Sequence, residues 1–177
     1  LEKNNEITVK LRGIPGCYLD LQVAYDTGPP YRAQIRWTSY GIPHILADDL
    51  GSVSFGNGYA FASQNACILA DQIVMVRSER SKYFGPDAVP GSGDNANVDS
   101  DFFYKAMNMM QRAENAYEAL DPAGKAFMRG YAAGYNKYLS DRGVDNFPCD
   151  TRWIKPISVI DLMAAAVDVT FLGGPKP

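Results

Sequence analysis

The stretch Ala33-Gln-Ile-Arg-Trp-Thr-Ser-Tyr-Gly-Ile-Pro-His-Ile-Leu-Ala-Asp-Asp49 decides how the fold is read. Ala33 to Tyr40 alternates apolar with polar residues and carries β-formers, which predicts a strand. Tyr40-Gly41-Ile42-Pro43 is a turn, in which Gly41 permits a positive φ and Pro43 sets the exit. His44 to Ala47 reads as a second short strand, so the pair is expected to form a hairpin. Asp48 and Asp49 then supply N-cap chemistry for a helix.

Downstream the pattern turns helical. Residues 50 to about 82 form a long helical stretch in which Gly51, Gly56, Gly58, Ala60, Ala62, Ala66 and Ala70 would let other backbone approach closely. Gly85-Pro86 is expected to stop it, and residues 86 to 100 read as a loop. A helix over 101–119 follows from the spacing of Phe102, Phe103, Ala106, Met109, Met110, Ala113 and Tyr117. Asp121-Pro122 opens the next one, with Pro at its first position. That helix carries Phe127, Tyr131, Tyr135 and Tyr138 on one stripe, and Gly130 and Gly134 one turn apart on another. A second loop covers 141–156, after which Ser158-Val-Ile-Asp161 resembles a capping box and begins a final apolar helix.

Upstream, residues 1–32 read as an irregular arm with one edge strand over Glu6 to Arg12, because Gly13, Pro15, Gly16 and Gly28-Pro29-Pro30 break any longer element. A lone hairpin is marginal in water. It needs a larger sheet than this reading supplies, which hints at a missing partner.

The 177 residues include 46 % hydrophobic and 21 % charged residues, with a net charge of −3. That balance excludes general disorder, and the lack of a basic stripe argues against a nucleic-acid partner. The longest apolar run, 159–172, contains Asp161 and Asp168 and is too short to span a bilayer, so the chain reads as soluble. Nothing near Leu1 reads as a signal peptide, and residues 173–177 read as a flexible end left by trimming or by processing of a precursor. Cys17, Cys67 and Cys149 stand too far apart in sequence for a structural zinc site.

Several residues could carry chemistry, and each has a plainer alternative. His44, the one histidine, is either a general base or a structural group bonding buried backbone. No G-x-S-x-G elbow accompanies it. Asp71 is either an acid or ion ligand, or a carboxylate paired with Arg77 or Arg80. The Phe127–Tyr138 stripe could stack a ligand or fill a core. Val167, Val169, Thr170, Phe171 and Leu172 could line an apolar pocket or belong to the core as well. A Cys67–Cys149 pairing is open on spacing alone.

The stretch Ile35-Arg-Trp-Thr-Ser-Tyr-Gly-Ile-Pro-His-Ile-Leu-Ala-Asp-Asp-Leu50 resembles the N-terminal part of the penicillin acylase family. The likeness continues through Gly56-Asn-Gly-Tyr-Ala-Phe-Ala-Ser-Gln-Asn-Ala-Cys67 and Val76-Arg-Ser-Glu-Arg-Ser-Lys-Tyr-Phe-Gly85. Further on, Arg129-Gly-Tyr-Ala-Ala-Gly-Tyr-Asn136 and Ile157-Ser-Val-Ile-Asp-Leu162 also fit. It covers roughly 33–174 and is strongest to the branch of acyl-homoserine-lactone acylases and aculeacin A acylase. The resemblance implies an α+β fold: a mostly helical α chain (33–172) that lends a few strands to an αββα N-terminal nucleophile hydrolase sandwich. A β chain from the same self-cleaving precursor would complete it, bring the nucleophilic Ser at its own N-terminus, and supply the oxyanion donors. No catalytic residue is then expected in the present chain.

The family also implies a Cys67–Cys149 disulfide, and hence a periplasmic or secreted enzyme. Cys17 would stay unpaired or pair outside the chain. Tyr40 to His44 becomes a structural turn. The acyl pocket would draw on Val167, Thr170, Phe171 and Leu172 near the end of the last helix. There Thr170-Phe171 replaces the Arg-Phe pair of penicillin G acylases, which argues against copying their specificity. The family's calcium-binding Glu has no counterpart in Gly173-Gly174-Pro175-Lys176-Pro177, so no metal and no cofactor are expected. The implied activity is hydrolysis of N-acyl-homoserine lactones, with penicillins or lipopeptides as alternatives. A helical binding subunit without a catalytic partner is the competing reading.

Overall fold

The structure, a computed structural model, describes residues 10–12, 18–23, 31–89, 95–143, 146–150 and 152–173. By internal contacts the chain divides into two compact units, Leu1–Gln64 with Pro122–Tyr138, and Asn65–Asp121 with Leu139–Pro177.

The first unit holds the sheet. Strands β1 (Lys10–Arg12), β2 (Tyr18–Val23), β3 (Tyr31–Trp37) and β4 (Pro43–Leu46) lie in that order, all antiparallel. The expected hairpin is β3–β4, with Ile35 opposite Ile45. Gly41 turns at φ +77° while Thr38 closes the loop, its hydroxyl accepting from the Ile42 amide at 3.1 Å. The arm differs from the expectation. It contributes β2 as well as part of the expected edge strand, so the sheet the hairpin needs comes from this chain. The signal was present in Tyr18-Leu-Asp-Leu-Gln-Val23, a clean alternation hidden between glycine- and proline-rich flanks.

One face of β3 and β4 is buried. Ala33 and Ile35 pack with Phe55, Tyr59 and Ala60 of α1 (Leu50–Val76), and Ile45 and Ala47 close over them. The N-cap is Asp49: its carboxylate accepts from the Ser52 amide at 2.9 Å and from the Ser52 hydroxyl at 2.7 Å. The small residues of α1 do what their size allows. A Cβ on Gly130 or Gly134 would strike the carbonyl oxygens of Gly51 or Phe55, and one on Gly58 would strike that of Tyr131. These two helices thus meet backbone to backbone. Of the aromatic stripe, Tyr135 is fully buried and Tyr138 stands edge-on to Tyr59 against the core, while Phe127 and Tyr131 are half-buried.

Two expected helices are each split. The helix read as 50–82 ends at Val76, and α2 (Arg80–Phe84) restarts after Ser78 at φ +58°. The 101–119 helix is α3 (Asn97–Ala106) and α4 (Met109–Ala119), parted by Asn108 at φ +52°. It begins inside the expected 86–100 loop. Neither break falls at Gly or Pro, the residues that usually punctuate helices. The first is held by tertiary contact: Asp101 of α3 accepts from the amides of Arg80 and Ser81, both at 2.8 Å. The remaining helices are α5 (Pro122–Arg142) and α6 (Val159–Gly173). No helix among the described residues is long and apolar enough to cross a membrane.

Candidate functional site

The last helix carries the candidate binding residues, and its start is rigidly made. The Ser158 amide donates to Asp161 Oδ2 at 2.7 Å and the Asp161 amide donates to Ser158 Oγ at 3.1 Å, the reciprocal pattern of a capping box. Asp161 is buried and also accepts two hydrogen bonds from Arg77, Nε to Oδ1 and Nη2 to Oδ2, both at 2.5 Å. Burial pushes the Asp161 carboxyl up, but the bonds from Arg77 and Ser158 outweigh it and hold the group below its ordinary value. The Arg77 guanidinium is raised in turn, chiefly by its bond to Asp161.

Along α6, Ala164 lies in a core with Val76, Tyr104, Met109 and Ala113, and Val167 packs against it. Thr170 is exposed, and its hydroxyl donates back to the Val167 carbonyl at 2.6 Å. Phe171 is 46 % exposed and Val169 57 %. The backbone of Leu172 is helical; its side chain lies outside the described residues, as do Cys17 and residues 174–177. The four expected binding residues are therefore divided: Val167 belongs to the core, while Thr170 and Phe171 face outward.

Between them sits a residue that sequence reasoning used only against a membrane span. Asp168 is 3 % exposed. Its Oδ1 accepts from the Tyr104 hydroxyl at 2.8 Å, and its Oδ2 has no hydrogen-bond partner among the described residues. Burial and the bond to Asp168 both raise the Tyr104 hydroxyl, which keeps it a donor. A polar residue interrupting the apolar run 159–172 was the available signal.

The other candidates resolve structurally. His44 is exposed on β4, across from Arg36. Asp71 pairs with Arg80 at 2.9 Å, and Arg80 also donates to Asn97 at 3.0 Å and lies over the Phe84 ring. Cys67 and Cys149 are joined in a disulfide with their Cα atoms 6.2 Å apart. Among the described residues no group of three His, Cys, Asp or Glu side chains could hold a metal ion.

Comparison with known proteins places this arrangement in context. A sequence model of the penicillin amidase family matches residues 32–171. The chain is 39 % identical over 144 residues to acyl-homoserine lactone acylase PvdQ of Pseudomonas syringae pv. tomato, covering 80 % of this chain and 18 % of that protein. It is 35 % identical over 148 residues to aculeacin-A acylase of Actinoplanes utahensis, covering 78 % and 18 %. The chain thus spans about a fifth of the length of the curated relatives it matches. Among solved structures, a thermostable penicillin G acylase from Alcaligenes faecalis superposes with a TM-score of 0.67 at 24 % identity, over 82 % of this chain and 76 % of that one. The shared fold is the mostly helical, small-sheet arrangement described above.

Proposed function

This chain belongs to the penicillin amidase family, and from that premise we propose that it is the α-chain part of a linear-amide hydrolase acting on N-acyl-homoserine lactones. The observation that carries the reading is the 39 % identity to a lactone acylase along 80 % of the chain, set beside a last helix that ends in an exposed Thr170 and Phe171. The nucleophile lies in the β-chain part of the same precursor. A terminal Ser hydroxyl adds to the acyl carbon while its own α-amino group takes the proton; that proton passes to the amide nitrogen, the C–N bond breaks, and homoserine lactone leaves with the Ser acylated. Water then attacks the resulting ester and releases the fatty acid. This chain's share is specificity. Phe171 and its neighbours wall the acyl chain, where each buried methylene contributes about 0.8 kcal/mol. Removing the acyl group would silence a lactone signal, which is quorum quenching.

The β chain would cover the outward face of the hairpin. Tyr40 is 92 %, Ile42 58 % and Leu46 69 % exposed, an apolar cluster of the kind that marks an interface. The disulfide supports a periplasmic or secreted location, where such bonds persist. Amides of lipopeptides are the second substrate class, favoured by the 35 % identity to aculeacin-A acylase.

The test is a hydrolysis panel on the purified product of the whole reading frame: lactones of graded acyl length, a lipopeptide, and penicillins G and V. Two polypeptides in denaturing mass spectrometry and cleavage of lactones are expected. Activity that survives Ser→Ala at the β chain's first residue overturns the mechanism. A product that stays one 177-residue chain without activity makes this a binding subunit instead.

A further inference from the structure

The end of α6 is tied to α3 by a buried hydrogen bond that the proposed reaction does not use. Tyr104 is 9 % and Asp168 3 % exposed, and the bond between them spans 64 positions of sequence. An apolar side chain would fill the Asp168 position at lower cost than a carboxyl group with one oxygen unpartnered. What the polar pair adds over an apolar contact is direction: a hydrogen bond fixes register where packing permits sliding. Asp168 and Phe171 are i and i+3 neighbours on one helix face. On the other side, the Phe103 ring stands edge-on to Tyr104 with centroids 5.3 Å apart, and Phe103 is 54 % exposed. The bond therefore ties the helix turn that carries the half-exposed Phe171 to α3.

We propose that Tyr104 and Asp168 are positioning residues for acyl-chain length: their hydrogen bond holds the last turn of α6 so that Phe171 forms the wall met by the distal part of the acyl group. This rests on the acylase reading above. Neither residue touches the scissile amide, so the pair sets which chain length is preferred and leaves the chemical step alone.

The experiment uses the intact two-chain enzyme as wild type, Tyr104→Phe, Asp168→Leu and Asp168→Asn. It reads kcat/KM against acyl length from butanoyl to dodecanoyl lactone, together with the Tm. Tyr104→Phe and Asp168→Leu are expected to flatten the length profile by about fourfold for each methylene that loses its wall, with butanoyl hydrolysis unchanged. Asp168→Asn keeps an acceptor oxygen for Tyr104 and is expected to keep the wild-type profile. A profile parallel to wild type in Tyr104→Phe, even with a lowered Tm, overturns the proposal, because the bond would then be merely structural. Should Asp168→Leu yield no soluble enzyme, Tyr104→Phe decides, since it removes a single oxygen atom. Hydrogen exchange at amides 169–172 is read on the same proteins and is expected to quicken in Tyr104→Phe; equal rates overturn the proposal whatever the substrate. A wild-type enzyme that cleaves no lactone refutes the acylase reading separately, and the exchange rates still test the positioning role.

Discussion

Within each of the two units of this chain a different kind of contact predominates. In the first, α1 and α5 touch through glycines, and a sheet face of Ala33, Ile35 and Ile45 lies on α1. In the second, polar pairs cross between elements: Arg77 with Asp161, Arg80 with Asp71 and Asn97, and Tyr104 with Asp168, alongside a disulfide. Packing by close approach tolerates almost any sequence that keeps the small residues small. Packing by paired charges tolerates the loss of both partners better than the loss of one. The unit that carries α6 is thus the one in which charged pairs cross between elements.

Substitutions can break or sharpen that contrast. The largest effect is expected from Cys67→Ala with Cys149→Ala, which opens a loop of 82 residues. Loop-closure arithmetic puts the loss at about 4 kcal/mol. Urea unfolding should show it, and hydrogen exchange should place the loosening in the second unit; protection lost equally in the sheet would erase the distinction between the units. Next comes Arg77→Leu, which strands the buried Asp161 and should cost about 3 kcal/mol at neutral pH.

The same pair predicts a pH dependence of definite sign. Asp161 is lowered in the folded chain from its ordinary 3.8, so its contribution is fully present above that value. It is lost as pH falls through the lowered value. The gap between the stabilities of wild type and Arg77→Leu should therefore be open above pH 3.8 and narrow as pH falls from 3.8 through the lowered value; a gap that stays constant throughout would rule out the linkage.

In the first unit, Gly134→Ala should cost about 2 kcal/mol by forcing α1 and α5 apart at Phe55, measured as a fall in urea midpoint. The smallest effect is expected at the caps. Asp49→Ala and Ser158→Ala should each cost about 1 kcal/mol, so near-equal values in two otherwise unlike units would confirm that capping is local.

What was legible follows the same division. The β3–β4 hairpin, the Asp49 cap, the start of α5 at Pro122 and the capping box of α6 are each specified within a few residues, and each is found, the hairpin with its first strand running from Tyr31 to Trp37 rather than from Ala33 to Tyr40. The helix breaks at Ser78 and Asn108 were not legible, because neither Gly nor Pro marks them and non-glycine residues take a positive φ uncommonly, Asn more readily than Ser. The site was half legible. The resemblance pointed to the end of α6, yet periodicity could not say that Val167 turns inward and Thr170 outward.

By itself, the sequence determined the family, the β3–β4 hairpin and the starts of α1, α5 and α6, since these rest on residue types and on spacings within one or two turns. Only the tertiary structure decided which Arg meets Asp71, that Asp161 binds Arg77, and that Asp168 is buried against Tyr104. Those partners stand between 9 and 84 positions apart, and a hydrogen bond depends on distance and angle in space, which residue spacing does not encode.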